Sequence, residues 1–436
     1  MRDIRPYPWP VDRGRPHIVV VNRWRERYAE YANYIDHAHH RVSYVTTEAG
    51  LDAVPLNAAQ VMLVDRTDDL ELVRAAVREL AARYGPPAGI VALEVGDLVV
   101  GAQLRLDWDL PGQMPRDLTV FRDRYLMYRT VQQAGRPVPA FAAVPDADAV
   151  RAVADAQGWP LILKPRTGSS GGGVVRLDSP ADLAALDFGA EPLVLQEFRS
   201  EPIHHVDGVF DGLQILALRA SRYLNTWLGF HTGSYLGSVE VDDPEVNAAI
   251  GVATQAYMTA LTSSPTVFHV EVFVGRDDRG AVTIQFLEAG PHTGGAEIAF
   301  VWREVHGYDL MAAALRTQLC QKVPALPRSV DGDQVAGWLL VPAPAARPCR
   351  STIATPMVGR EPGPYAQALL PPDGIIPAGD PSYEHVGGRF RFRGPTSAAV
   401  EAAIIATAQD FTVAGRRLER ESVPGAVATA GRDAIT

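Results

Sequence analysis

LILKPRTGSSGGGVV, residues 161–175, decides how the chain is read. An apolar run closes on Lys164 and Pro165, a loop carries Gly168, Ser169, Ser170, Gly171, Gly172 and Gly173, and Val174 and Val175 take the chain back. The pattern predicts two buried strand segments joined as a hairpin by a loop with almost no side chain, so that its backbone N–H groups can turn toward an anion such as a phosphate. Lys164 stands at the end of the first strand, where its ammonium can reach the same anion. The competing reading is a surface hairpin, because glycine clusters are common in turns.

At 436 residues the chain exceeds one ordinary core, and two or three packed units are expected. The formal net charge of −10, with no long Lys/Arg block, argues against a general nucleic-acid surface. An acidic chain that grips phosphate must gather positive charge locally or recruit metal ions. Cys320 and Cys349 are the only cysteines, so neither a disulfide framework nor a thiolate zinc site is implied, and a reducing cytoplasm fits. The opening MRDIRPYPWPVDRGRPH lacks an apolar core of signal-peptide length, and no apolar run reaches about eighteen residues, so no membrane contact is expected.

Outward toward the amino terminus, residues 1–16 read as an extended arm. HIVVVN at 17–22 reads as a buried strand, 28–37 as an aromatic-rich helix, and 41–46, 61–64 and 89–93 as further strands. Leu70, Val73, Val77, Leu80 and Tyr84 share one face of a helix, with Asp68 and Glu71 as its capping box and Gly85 at its end. Strands alternating with helices mean a parallel sheet, so residues 1–115 are expected to form a small doubly wound α/β domain. No GxGxxG follows the first strand, which excludes the usual dinucleotide site.

Residues 116–320 are expected to form a central module of two α+β lobes, divided near residue 205. The first contains a helix over 121–135, the glycine-loop hairpin, a short helix opened by Ser179 and Pro180, and the strand LVLQEF at 193–198. The second contains a strand meander over 206–220, a helix opened by Asp243 and Pro244, and the strands VFHVEVFV and TIQFLEAG, which carry Glu271 and Glu288. A carboxylate set among apolar strand residues costs free energy unless a cation compensates it. Mg2+ takes one or two protein carboxylates together with phosphate oxygens, which suits this pair. Residues 321–436 read as a small α+β lobe closing over the centre, ending in a frayed tail.

A helix with a basic residue, LKP with its glycine loop, a strand ending QEF, and two carboxylate strands followed by PHTGGAEI resemble, in that order, the ATP-grasp superfamily over residues 110–310. Within it the chain resembles the carboxylate–amine ligases, including L-amino acid ligases and relatives of biotin carboxylase. The resemblance implies that Lys164 meets the α and β phosphates of ATP and that Ser169, Ser170, Gly171, Gly172 and Gly173 form the covering loop. It implies that Gln196, Glu197 and Phe198 are the hinge whose backbone binds adenine, with His205 or Glu201 near the ribose. Glu271 and Glu288 would hold Mg2+ or Mn2+, and Gly294 and Gly295 would turn beside the acceptor.

Three positions depart from the superfamily pattern. Arg124 follows Asp123 where Asp-Lys is usual, which keeps the charge but presents a planar fork. Gly290 replaces an asparagine ligand. His292 replaces the arginine that holds the acyl phosphate or its carboxylate precursor; it is either a substitute or an ordinary structural histidine. Arg222 and Arg303 are candidates to clamp a substrate carboxylate, with ordinary ion pairing as the competing reading.

The function implied is an ATP-dependent ligase that joins a small carboxylic acid to an amine through an acyl phosphate, releasing ADP. Alternatives are the same chemistry with a thiol, ammonia or carrier-bound acceptor, and an ATP-binding module without catalysis. Many members of the superfamily form dimers, so the resemblance allows a homodimer.

Overall fold

The computed structural model describes residues 2–3, 14–24, 28–168, 172–186, 188–189, 191–326, 334–344, 347–371, 373–376 and 386–418. In the amino-terminal sheet the parallel strands Gln60–Leu63, Arg41–Thr46, His17–Asn22 and Gly89–Ala92 lie side by side in that order, with Arg2–Asp3 antiparallel at the outer edge. Every residue of His17–Asn22 and Arg41–Thr46 is buried, as covering both faces of a parallel sheet demands. The direction of winding reverses between His17–Asn22 and Gly89–Ala92. A crevice opens beyond the carboxyl ends of strands at such a point, and Trp24, Leu93 and Glu94 stand there.

Helix Leu70–Tyr84 buries Val73, Val77, Leu80 and Tyr84, the face expected from their spacing. Its cap differs from expectation: the Asp69 carboxylate accepts from the backbone N–H groups of Glu71 and Leu72, while Asp68 turns to Arg23 and Arg66. Within 28–37 the helix is reduced to Tyr31–Tyr34. Aromatic side chains favour helix weakly, and edge contacts of Tyr31 with Tyr34 and Tyr44 hold this segment instead.

The helix expected over 121–135 runs from Arg124 to Gln133, and its first two expected positions instead end a separate helix, Pro115–Arg122, that the sequence reading did not anticipate. Asp123 separates them in an extended conformation and caps the second by accepting from the Tyr125 and Leu126 N–H groups. A four-stranded antiparallel sheet follows, in the order Phe141–Val144, Leu193–Glu197, Leu161–Pro165, Val175–Leu177. Its last pair is the glycine-loop hairpin, with Leu161 opposite Leu177 and Leu163 opposite Val175.

The large sheet has eight antiparallel strands in the order Val282–Gly290, Thr266–Arg276, Ile203–Phe210, Ile215–Tyr223, Leu236–Glu240, Val335–Pro342, Val386–Gly394 and Ala366–Leu369. The division expected after residue 320 therefore falls inside one continuous sheet. Strand Leu236–Glu240 would otherwise present an unpaired edge, and Val335–Pro342 satisfies its backbone groups. One face of the sheet packs Phe210, Phe268 and Phe286 against Ile250, Tyr257 and Met258 of helix Pro244–Leu261. The other packs Val209, Val267 and Trp338 against Ile298 and Trp302 of helix Ile298–His306 and Leu310 of helix Leu310–Gln318. Each large side chain so buried contributes roughly 1.5–3 kcal/mol.

Helix Leu310–Gln318 also joins this sheet to the amino-terminal one. The Gln318 amide accepts from the Ala92 N–H at 2.8 Å and donates to the Ala92 carbonyl at 2.7 Å, as an added strand would. Among the described residues no helix is long and apolar enough to cross a membrane.

Candidate functional site

Glu271 and Glu288 lie directly opposite one another on adjacent antiparallel strands. A bulge between Glu271 and Val272 shifts the register there, so the carboxylate pair sits at a local bend. Both line one cavity, together with Gly168 at the start of the glycine loop and with His269, Gly290, His292, Gly294 and Gly295.

Arg124 meets Glu288 from the far side. Its Nε and Nη2 donate to the two carboxylate oxygens at 3.3 and 3.2 Å, and its remaining donors reach the Pro165 and Gly168 carbonyls at 2.8 and 3.3 Å. One buried fork thus locks the Glu288 carboxylate to both ends of the segment that leads into the loop. Lys164 is buried beside them, its Nζ 5.4 Å from the Tyr128 ring centre. Burial lowers its pKa to about 8 against the pull of Glu288, Arg124 lowers it further, and Glu271 opposes the fall. Lys164, Arg124, Glu271 and Glu288 therefore share one electrostatic neighbourhood.

Glu271 is held by partners that the sequence reading did not single out. Its carboxylate accepts from the Tyr223 hydroxyl at 2.9 Å and stands 3.6 Å from His269 Nε2. Burial alone would raise its pKa, but His269 and Tyr223 hold it below the usual carboxylate range. His269 Nδ1 in turn bonds Asp207 at 2.8 Å, the other Asp207 oxygen takes His205 Nδ1 at 2.6 Å, and His205 Nε2 bonds Ser238 Oγ at 2.7 Å. Burial works against charge on His269, yet Asp207 lifts its pKa to about 10. Atoms of His205, Asp207 and His269 lie within 4.8 Å of one another, the spacing of metal ligands, but hydrogen bonds within the group already engage them. A signal was present in the sequence: HVDG and HVEV each place two polar residues at spacing two in an apolar strand, which puts them on one face.

His205 is thus placed differently from the expectation of a nucleotide contact. It is 2% exposed, opposite Glu271 in the strand pairing, and supports the carboxylate strands from beneath. Glu201 pairs with Arg199. Arg222 pairs with Glu401 at 2.7 Å in a separate depression, and Arg303 pairs with Glu30 at 2.8 Å and Asp309 at 3.7 Å. Neither arginine lines the cavity; each sits where an acidic residue of another element neutralises it. Ser169, Ser170 and Gly171 lie outside the described residues, and Gly172 is an exposed turn.

In strand Leu193–Glu197, where the hinge is expected, Gln196 is buried in mid-sheet and its Nε2 has no hydrogen-bond partner. Glu197 accepts from the Ala140 N–H at 3.2 Å, and Phe198 stacks under Arg176 at 4.3 Å.

His292 bonds the Thr293 carbonyl through Nδ1 at 2.9 Å, and its ring lies 6.1 Å from that of His269. Burial and the charge on His269 lower its pKa to about 4, so it is neutral at pH 7. His292 therefore supplies no positive charge to the cavity at that pH. Gly294 rests on the polar group: a Cβ there would stand 2.4 Å from Asp207 Oδ1 and 2.7 Å from His269 Nδ1.

No protein-family model matches the chain. By sequence it is similar to the carbamoyl phosphate synthase large chain of Beutenbergia cavernae, 30% identical over an alignment of 183 residues that covers 38% of this chain and 16% of that protein. It is also similar to the same protein of Streptomyces coelicolor, 22% identical over 245 residues, covering 51% of this chain and 22% of that protein. The chain thus matches only a small part of the length of these relatives. Among solved structures it is similar to L-amino acid ligase from Bacillus licheniformis, with 17% identity, 92% of this chain and 99% of that one covered, and a TM-score of 0.70. Biotin carboxylase from Campylobacter jejuni gives 15% identity, 92% of each chain and 0.62. N5-carboxyaminoimidazole synthetase from Staphylococcus aureus, complexed with ADP, gives 13% identity, 90% and 97% coverage and 0.64.

Proposed function

We propose, from the premise that this chain has the ATP-grasp fold, that it is an ATP-dependent ligase joining a small carboxylic acid to an amine. One observation carries the reading: two carboxylates face each other across a strand pair, within the field of a buried lysine and an arginine fork that also grips the glycine-loop segment. Hard oxygen donors of this kind suit Mg2+. Bound between Glu271 and Glu288, the ion would neutralise phosphate charge.

The protein's own groups position the reactants. Lys164 brings its ammonium to the phosphates, and Arg124 keeps Glu288 and the start of the loop in register. A carboxylate oxygen of the donor acid attacks the γ-phosphorus; the new O–P bond forms as the bond to ADP breaks, giving an acyl phosphate. The amine then attacks the acyl carbon, a C–N bond forms, phosphate leaves and the amine loses a proton. The glycine loop excludes water, which would hydrolyse the intermediate. We favour an amino acid or similar small acid as donor and an amino acid or other amine as acceptor.

The test measures ADP and phosphate release with ATP, Mg2+ and panels of acids and amines. Lys164→Ala and Glu288→Ala are each expected to abolish ADP release while the variants still fold. A Glu288→Ala enzyme at full rate would refute the metal assignment, and release of AMP would replace the acyl phosphate with an adenylate.

A further inference from the structure

None of the cations so far described is free to hold a substrate carboxylate in the cavity: His292 is neutral, Arg222 and Arg303 are paired elsewhere, and the charged His269 is engaged by Asp207 and Glu271. Arg122, at the end of helix Pro115–Arg122, lines the same cavity as Gly290, His292 and Gly294. It is half-buried, and among the described residues its guanidinium has no acceptor and no acidic partner. Its neighbours in sequence are fully engaged: Asp123 caps the next helix and pairs with Arg166, and Arg124 bonds Glu288 and the loop segment.

The break at Asp123 explains the placement. Were the helix continuous, Arg122 would lie two residues from Arg124 and point some 200° around the axis from it. The extended residue instead turns Arg124 into the phosphate side, leaving Arg122 on the cavity wall. Arg122 also acts as a like charge on His292 and helps keep it neutral.

From Arg122 the cavity runs to the reversal point of the amino-terminal sheet, where Trp24, Tyr28, Leu93, Leu118 and Phe121 form an apolar wall, with the Glu94 carboxylate at its margin paired to Arg23 at 3.4 Å. A wall of this kind accepts an apolar group and excludes a charged one. Resting on the ligase reading above, we propose that Arg122 holds the carboxylate of the donor acid, and that this acid carries an apolar or aromatic side chain into the wall. A planar fork suits a carboxylate bidentately, which a single imidazole N–H does not.

The experiment uses L-phenylalanine, L-leucine and 3-phenylpropionate against glycine and L-aspartate, in two arms. One follows ADP release with ATP, Mg2+ and an amine; the other follows binding of the same acids to the protein loaded with Mg2+ and ADP, by calorimetry. The apolar acids are expected to serve and the others to fail. Arg122→Gln should raise KM and Kd for the acid roughly 10- to 100-fold, with Kd for ADP unchanged and kcat at saturation reduced far less, and Arg122→Lys should recover part of the loss. If Arg122→Gln loses ADP binding as well, it has misfolded, and Arg122→Lys carries the comparison, with a smaller rise in Kd for the acid expected. An unchanged KM and Kd in a folded variant, or equal use of L-aspartate, overturns the proposal and leaves the ligase reading standing. If no acid supports ADP release by the wild type, the ligase reading falls. The binding arm then still decides: acid binding that Arg122→Gln removes keeps the carboxylate site, and absent or unaffected binding overturns it.

Discussion

Asp207 shows how a single residue can govern a site it does not line. Buried at 1% exposure, it bonds His205 and His269, and the fields of both hold its pKa far below the ordinary value against the cost of burial. Through His269 it sets the orientation and charge of the group beside Glu271. Asp207→Asn leaves the shape but removes the charge that His269 faces; breaking a buried pair in this way costs about 3–5 kcal/mol. Thermal unfolding should show a large drop in Tm with and without nucleotide, and an unchanged Tm would remove Asp207 from this supporting role.

At the scale of elements, the loop between strand Val282–Gly290 and helix Ile298–His306 is fixed by close approach, not by its own turn chemistry. Gly294 contacts the Asp207–His269 pair so closely that any side chain must displace one of them. Gly294→Ala is expected to weaken Mg2+-dependent nucleotide binding at least several-fold and to lower stability by roughly 1–3 kcal/mol, as overpacking does. Calorimetry with Mg2+ and ADP, beside a denaturant titration, checks both parts; wild-type values in each would mean that the loop is free to move aside. The same scale separates what could be read from what could not. The hairpin, the strands of the carboxylate pair and helix Leu70–Tyr84 follow from spacing within one segment. The boundary at Asp123 does not show in the sequence because Phe121 continues the apolar pattern of the helix that follows, and only the cap geometry at Asp123 assigns Phe121 to the preceding one.

For the whole molecule, buried neutral histidines make stability depend on pH. Burial lowers the pKa of His204 to about 4 and depresses those of His17 and His37. These three side chains bind fewer protons in the folded chain than in the unfolded one below pH 6.5, so the stability they contribute is full above that value and falls as the pH drops toward 4. For His204 the loss is on the order of 2–3 kcal/mol. Denaturant midpoints should therefore decline from pH 7 to pH 4.5, and His204→Asn should show a shallower decline; equal slopes would exclude His204 as a source. The molecule also depends on joints between distant segments, such as the Gln318 amide that pairs with Ala92 across more than two hundred residues of sequence.

The sequence by itself determined the glycine loop with Lys164, the two acidic strands, the alternation of the amino-terminal unit and the order of motifs that resembles the ATP-grasp superfamily. These are local, because period-two and helical spacing, caps and turn residues act within a few residues of chain. Tertiary structure alone decided that Glu271 faces Glu288, that Asp207 and His269 stand beneath them, and that the strands after residue 334 extend the same sheet. It also decided which arginines are neutralised and which one is left facing the cavity. The reason is physical: strand register and ion pairing join residues far apart in the chain, and a charge has no identifiable partner until the backbone brings one within reach.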